Sequence, residues 1–288
     1  MPLIDTATLV RDAHAHGYGI AQINTNGASY ELTRAIVEVA DEMRSPVILG
    51  AYEKNLEFRG FEYCGMLMRW FAERATAPVA VHLDHGGSIE SCQRAIDAGF
   101  TSVMIDGSQL PINENIEQTK QVVALAKPHG VTVEAEVGEL QRLGPDGSMP
   151  EAKNLSDVDE VRRMSTETGI DMLAVGIGNA HGFYKDTPDI RLDLLEALRD
   201  ASMAPLVLHG TTGIDDDMVR QCVALGMAKV NLGTLIRTRL VEYTHDVIAE
   251  DQHQNHPWRV SAAVIDRIKT HIRHIIEVIG SVDRAAAL

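Results

Sequence analysis

Three histidines stand where three apolar runs give out: His85 in VAVHLDHGGS, His181 in DMLAVGIGNAHGFYK and His209 in APLVLHGTTG. Neutral imidazole suits Zn²⁺, and three protein ligands leave one coordination position open for water or substrate. Such a set can do Lewis-acid chemistry. Other polar side chains fall at the same kind of place. Asn24 ends the first run, Asp84 precedes His85 at the end of the third, and Asp106 ends the fourth. Glu134 and Glu136 close the fifth run, and Asn231 closes the eighth. For any one of these residues, satisfying a neighbouring loop is the simpler reading. For the set it is not, because loop satisfaction gives no reason why histidines and carboxylates should share one rim.

Such residues need a scaffold that presents strand ends on one face. Apolar runs bounded by turn residues alternate along the chain with longer stretches of helical period. They predict eight strands, from Gly19 to Ile23, Pro46 to Ala51, Pro78 to Leu83, Ser102 to Ile105, Thr132 to Glu136, Met172 to Gly176, Pro205 to Leu208 and Ala228 to Asn231. Helices are expected from Ser29 to Met43, Phe61 to Ala75, Ser88 to Ala98, Asn113 to Ala126, Ser156 to Thr168, Leu192 to Asp200, Asp215 to Ala224 and Thr234 to Ala249. Gly99 and Gly226 each end a helical stretch with the residue that best takes a left-handed conformation. Strands alternating with helices in this way are the pattern of a parallel (β/α)8, or TIM, barrel, whose sites lie at the C-terminal ends of the strands. An extra C-terminal helix from Trp258 to Ile279 carries Ile265, Ile268, Ile272, Ile275 and Ile279 at helical spacing, a face for packing on its own barrel or on a neighbour. At 288 residues and 45% hydrophobic content, residues 1–288 are expected to form a single domain around one core.

Composition narrows the partners. A formal net charge of −15 argues against nucleic acid or a membrane surface, which a basic face would usually meet. A small anionic substrate remains open, since a few cations can be gathered in one pocket. Cys64, Cys92 and Cys222 are far apart, make no CxxC pair and read as reduced thiols. With no signal-peptide pattern and no apolar run of membrane-spanning length, a cytoplasmic location is expected.

Two further features bear on chemistry. The stretch from Val137 to Leu155, rich in glycine and proline, is longer than a strand-to-helix loop needs and leaves the fifth strand as an active-site lid would. His209-Gly210-Thr211-Thr212-Gly213 and Asn231-Leu232-Gly233-Thr234 each precede a helix, where backbone amides and threonine hydroxyls can hold a phosphate.

Taken in order, HLDHGGS, VMIDGS, VEAEVGEL, HGFYK, LHGTTGI and KVNLGT make the chain similar to the class II, zinc-dependent ketose-bisphosphate aldolases, the group of the fructose- and tagatose-bisphosphate enzymes. The similarity covers essentially the whole chain, to the final IGSVDRA. It implies reversible cleavage of a ketose 1-phosphate or 1,6-bisphosphate to dihydroxyacetone phosphate and an aldehyde. His85, His181 and His209 would hold catalytic Zn²⁺, with Asp106 and Glu136 near a buried alternative metal position. Asp84 would protonate the aldehyde oxygen in condensation and take that proton back in cleavage. The substrate would be bound by Asn24, Gly182, Lys185, Gly210, Thr212, Gly233 and Thr234, with Asn231 on the enediolate and Arg237 at a position that meets the far phosphate in some relatives. A monovalent cation (Na⁺ or K⁺) near the HGFYK and HGTTG loops, and a homodimer or homotetramer, are also implied.

The chain departs from that family in its lid, where relatives carry a glutamate that moves a proton on the dihydroxyacetone phosphate carbon. Here the corresponding stretch runs from Gln141 to Gly147, and either Asp146 or Glu139 takes over or the reaction differs. Tyr52 stands where many relatives have a phosphate-binding serine, and Thr211-Thr212 replaces Gly-Ser in the phosphate loop. With Arg142 and Arg237, these changes suit a substrate whose far end is not the standard sugar phosphate. Two other readings stay open: a zinc hydrolase or isomerase on the same barrel, and a non-catalytic subunit that stabilises a partner aldolase.

Overall fold

The structure is a computed structural model and describes residues 3–140, 142–144, 146–148, 155–250 and 256–285. Eight strands, β1 (Ile20–Asn24), β2 (Val47–Tyr52), β3 (Val79–Gly86), β4 (Ser102–Ile105), β5 (Thr132–Val137), β6 (Met172–Val175), β7 (Leu206–Leu208) and β8 (Met227–Leu232), pair in parallel and in sequence order into a closed barrel. Helices follow each strand as expected. Gly99 and Gly226 both take positive φ after their helices, 82° and 113°.

Strand alternation decides what faces where. Ala21 and Ile23 of β1, Val79, Val81 and Leu83 of β3, and Val133, Ala135 and Val137 of β5 point outward into the shell between barrel and helices. The intervening positions point inward. At the N-terminal end these are Ile20, Ile48, Ala80, Met104, Met172, Ala174, Val207 and Ala228, packed with Leu9, Val10 and Ala13. Those last three belong to Thr6–His16, a helix absent from the predicted set, which closes the bottom of the barrel. Its ends are well specified, since Asp5 accepts the Thr8 N–H and Gly17 adopts the left-handed conformation. Its apolar stripe spans barely two turns, which is why periodicity alone passes over it.

A second unpredicted helix, Glu53–Arg59, lies between β2 and Phe61–Ala72 and carries residues at the mouth. The C-terminal helix Pro257–Val278 lies against Tyr30–Met43, so the isoleucine face packs on its own barrel, with Ile265, Ile268, Ile272 and Ile275 buried. All three cysteines are buried and unpaired. Among the described residues no helix is long and apolar enough to cross a membrane.

Candidate active site

The inward positions above the apolar layer are polar, and they build the site from below. On β3, His82 and Asp84 point inward and the strand then breaks register between Leu83 and Gly86. Within that bulge His85 takes φ of 51°, a left-handed value rare for a side-chain-bearing residue, and turns its ring into the mouth. His209 follows β7 directly. His181 lies six residues beyond β6 on a loop held by Asn179, whose Nδ2 donates to His209 O at 2.8 Å. Tyr184 steadies the same loop, its hydroxyl accepting from Ala180 N at 2.7 Å and donating to Gly210 O at 3.0 Å. Gly210, at φ of 64°, passes so close to the loop that a Cβ there would sit 2.4 Å from Ala180 O.

These supports bring the three imidazoles together. One ligand nitrogen from each of His85, His181 and His209 lies within 4.8 Å of the others, and His85 Nε2 is 3.0 Å from His209 Nδ1. The opposite nitrogens are turned to carboxylates: His85 Nδ1 to Asp106 at 2.7 Å and His209 Nε2 to Glu134 at 2.8 Å. A carboxylate on the far nitrogen of each ring is the usual second layer of a metal site, since it fixes the tautomer that leaves the near nitrogen free. His181 Nε2 is buried with no hydrogen-bond partner. The charges agree. Burial alone would lower His85, yet Asp84, Asp106 and Glu136 draw it up to about 10, a negative field that would equally favour a divalent cation. Burial and repulsion from His85 bring His181 down to about 3, and burial likewise holds His209 well below its ordinary value. The residues therefore fit a metal. A second group, His85 with Asp106 and Glu136, also has ligand atoms within 4.8 Å of one another and shares His85 with the first. Burial, with the Asp106 charge next, raises Glu136 to about 8.

Asp84 is buried beside this cluster. It accepts from Asn24 Nδ2 at 2.8 Å and Asn231 Nδ2 at 3.2 Å. Burial works against its ionisation, but His85, His209 and Lys229 outweigh that and hold it at about 2.

Two cavities meet over the histidines and share Tyr52, His85, Arg142 and His181. The narrow one, about 60 Å³, is lined by the loops after β6, β7, β8, β1 and β2, including Gly182, Gly210, Thr212, Gly233, Thr234 and Arg237. Its Thr212 hydroxyl accepts Leu235 N–H at 3.2 Å, tying the β7 loop to the start of Thr234–Glu250. The wide one, about 620 Å³, takes in Lys54, Gln109 and Glu139. Tyr52 stands edge-on to His85, and the Arg142 guanidinium lies over the Tyr52 ring, 5.7 Å from its centroid.

Two expected residues are not brought in. Asp146 is exposed and lines neither cavity; its carboxylate is held within its own turn by the N–H and hydroxyl of Ser148. Lys185 is exposed and lines neither cavity, while its backbone N–H donates to Gly147 O at 2.9 Å. Glu139, the other lid carboxylate, does face the wide cavity and accepts from Gln109 at 3.1 Å. The lid docks on the His181 loop, Leu143 N donating to His181 O at 2.9 Å; Gln141, Pro145 and residues 149–154 of the expected lid lie outside the described residues. Sequence reading missed Gln22, His82 and Lys229, all fully buried inside the barrel. Each stands two residues before a rim residue it did single out, Asn24, Asp84 and Asn231, so strand alternation would have found them.

The model of the class-II fructose-bisphosphate aldolase family matches residues 4–284. The chain is 37% identical to the 6-phospho-5-dehydro-2-deoxy-D-gluconate aldolase of Shouchella clausii (strain KSM-K16), over 99% of this chain and 97% of that one. It is 36% identical to the enzyme of the same name from Bacillus subtilis (strain 168), over 99% and 98%. Among solved structures it is similar to the YdjI aldolase from Escherichia coli K12, with a TM-score of 0.86 and 32% identity over 98% of this chain and 99% of that one.

Proposed function

The chain belongs to the class-II fructose-bisphosphate aldolase family and is an aldolase, and from that premise we propose that it is zinc-dependent and splits a carboxylate-ended ketose phosphate into dihydroxyacetone phosphate and an aldehyde acid. The observation that carries this reading is the meeting of His85, His181 and His209 beside a buried, ionised Asp84. Bound at the three histidines, Zn²⁺ would supply a Lewis acid for the negative charge that cleavage leaves on the ketone oxygen. The protein's own groups do the rest. Asp84 takes the proton from the hydroxyl of the carbon that becomes the aldehyde, and the electron pair of the breaking carbon–carbon bond passes into the enediolate. Asn231, whose amide faces the same place, orients that carboxylate. Glu139 is the lid group that returns a proton to carbon, in place of Asp146. The glycine-bearing loops after β6, β7 and β8 hold the phosphate.

The two cavities and the relatives support this reading of the far end. In 6-phospho-5-dehydro-2-deoxy-D-gluconate, the C5 ketone and the C3 hydroxyl make C3–C4 the bond that a retro-aldol step breaks. The phosphate then leaves on one fragment and the C1 carboxylate on the other. Arg142, lining both cavities and stacked on Tyr52, offers a guanidinium fork for that carboxylate. Tyr52 takes up room where a serine would meet a phosphate.

The test is a panel of ketose phosphates assayed for dihydroxyacetone phosphate with a coupled dehydrogenase. The carboxylate-ended substrate is expected to exceed fructose and tagatose 1,6-bisphosphate in kcat/KM. Arg142→Ala should cost that substrate about 10- to 100-fold and the bisphosphates less. A wide preference for either bisphosphate would refute the far-end reading. Release of inorganic phosphate without dihydroxyacetone phosphate would favour a hydrolase.

A further inference from the structure

One buried cation is left over by this chemistry. Lys229 lies on β8 inside the barrel with no exposure to solvent, below the rim and out of reach of either cavity. An ammonium buried there is unfavourable unless it is both hydrogen-bonded and paired with an opposite charge, and it is. Nζ donates to Gln22 Oε1 at 2.7 Å and to Asn231 Oδ1 at 2.8 Å, and lies 2.8 Å from Glu134 Oε2.

Each partner is thereby given a direction. An ammonium only donates, so the oxygen of each amide must face it. The Asn231 amide nitrogen is then forced toward the rim, where it meets Asp84 Oδ1 at 3.2 Å and also lies 3.0 Å from His209 Nε2. The Gln22 nitrogen is turned against β2, and fits there because residue 50 is glycine; a Cβ on it would sit 2.4 Å from Gln22 Nε2. Glu134, held from below by Lys229, presents Oε1 to His209 Nε2 at 2.8 Å, which leaves His209 Nδ1 facing His85. His82 completes the layer, its Nδ1 on Ser102 Oγ at 2.8 Å and its Nε2 3.6 Å from Glu134.

We propose that Lys229 is a positioning residue of the aldolase site, setting the Asn231 amide against Asp84 and, through Glu134, the orientation and tautomer of His209. The proposal rests on the zinc aldolase reading above. A role in packing alone is the weaker account, because the layer beneath fills the same bore with Ile20, Ile48, Met104 and their neighbours and no charge at all. Buried ion pairs seldom add stability over apolar side chains of equal volume. Both ends of this one touch the rim.

Lys229→Met keeps the stem and removes the donors. In the metal-stripped protein, zinc affinity measured by competition with a chelating dye should fall about 10- to 100-fold, and kcat of the zinc-saturated enzyme should fall with KM little changed. The double variant Lys229→Met with Glu134→Gln leaves no lone buried charge, and the amide oxygen it places on β5 can still accept from His209. Its zinc affinity should return toward the parent while kcat stays low, since the Asn231 amide has lost its anchor. The double variant carries the test if the single one does not fold. Zinc affinity and kcat within about twofold of the parent in either variant, with only thermal stability changed, would overturn the proposal. If the parent itself bound no zinc at the three histidines, the metal reading would fall and this inference with it.

Discussion

Two halves of one barrel interior differ in everything except geometry. On the same strands, two residues apart, Ile20 gives way to Gln22 and Ala80 to His82. The lower half is closed by the helix Thr6–His16 and packed with aliphatic side chains and methionine. The upper half holds Gln22, His82, Glu134 and Lys229, and above them Asp84, Asn231 and the three histidines. The lower half shows what closing the barrel requires, which is volume and nothing polar. What the upper half adds is therefore not needed for closure, and substitutions in the two halves should register in different measurements.

The largest effect is expected at the metal. His181→Ala, or chelator treatment of the parent, should abolish cleavage, and Zn²⁺ should restore the chelated parent alone; full activity in a metal-stripped sample would remove the upper half's claim to be a metal centre. Next comes Asp84→Asn, which should lower kcat about 10²- to 10⁴-fold with zinc still bound, read by metal analysis beside turnover. Glu139→Gln should join it and Asp146→Asn should not, because only Glu139 faces a cavity. The smallest effect on turnover belongs to the lower half. Met104→Ala, at a fully buried position, should cost about 2–5 kcal/mol of stability in denaturant unfolding and leave kcat near the parent value. A catalytic loss at Met104 matching that at Asp84 would dissolve the division.

The rim of this site was legible because its residues interrupt apolar runs: a histidine or aspartate after VAVHL or APLVL is conspicuous. The barrel was legible for the same reason, and strand positions needed adjustment mainly at β3, which continues through the bulge to Gly86. The layer below was harder to see, because Lys229 and His82 sit inside apolar stretches and look like tolerated exceptions until alternation is applied. The lid could not be resolved by type alone. Glu139 and Asp146 are both carboxylates in a glycine-rich stretch, and what separates them is a local turn in which Ser148 claims Asp146. Lys185 lies four residues from His181, and closeness in sequence does not fix which way a loop residue turns.

The helix Thr6–His16 stoppers the lower end of the bore, and the layer above it is apolar among the described residues. Among the described residues the barrel is in that sense a blind vessel, open at the rim. Substrate enters and both fragments depart through the opening over His85 and His181, where Arg142 and Leu143 of the lid stand. The order in which the fragments leave is then a question of traffic at one threshold, decided by which of them the lid residues let go of first.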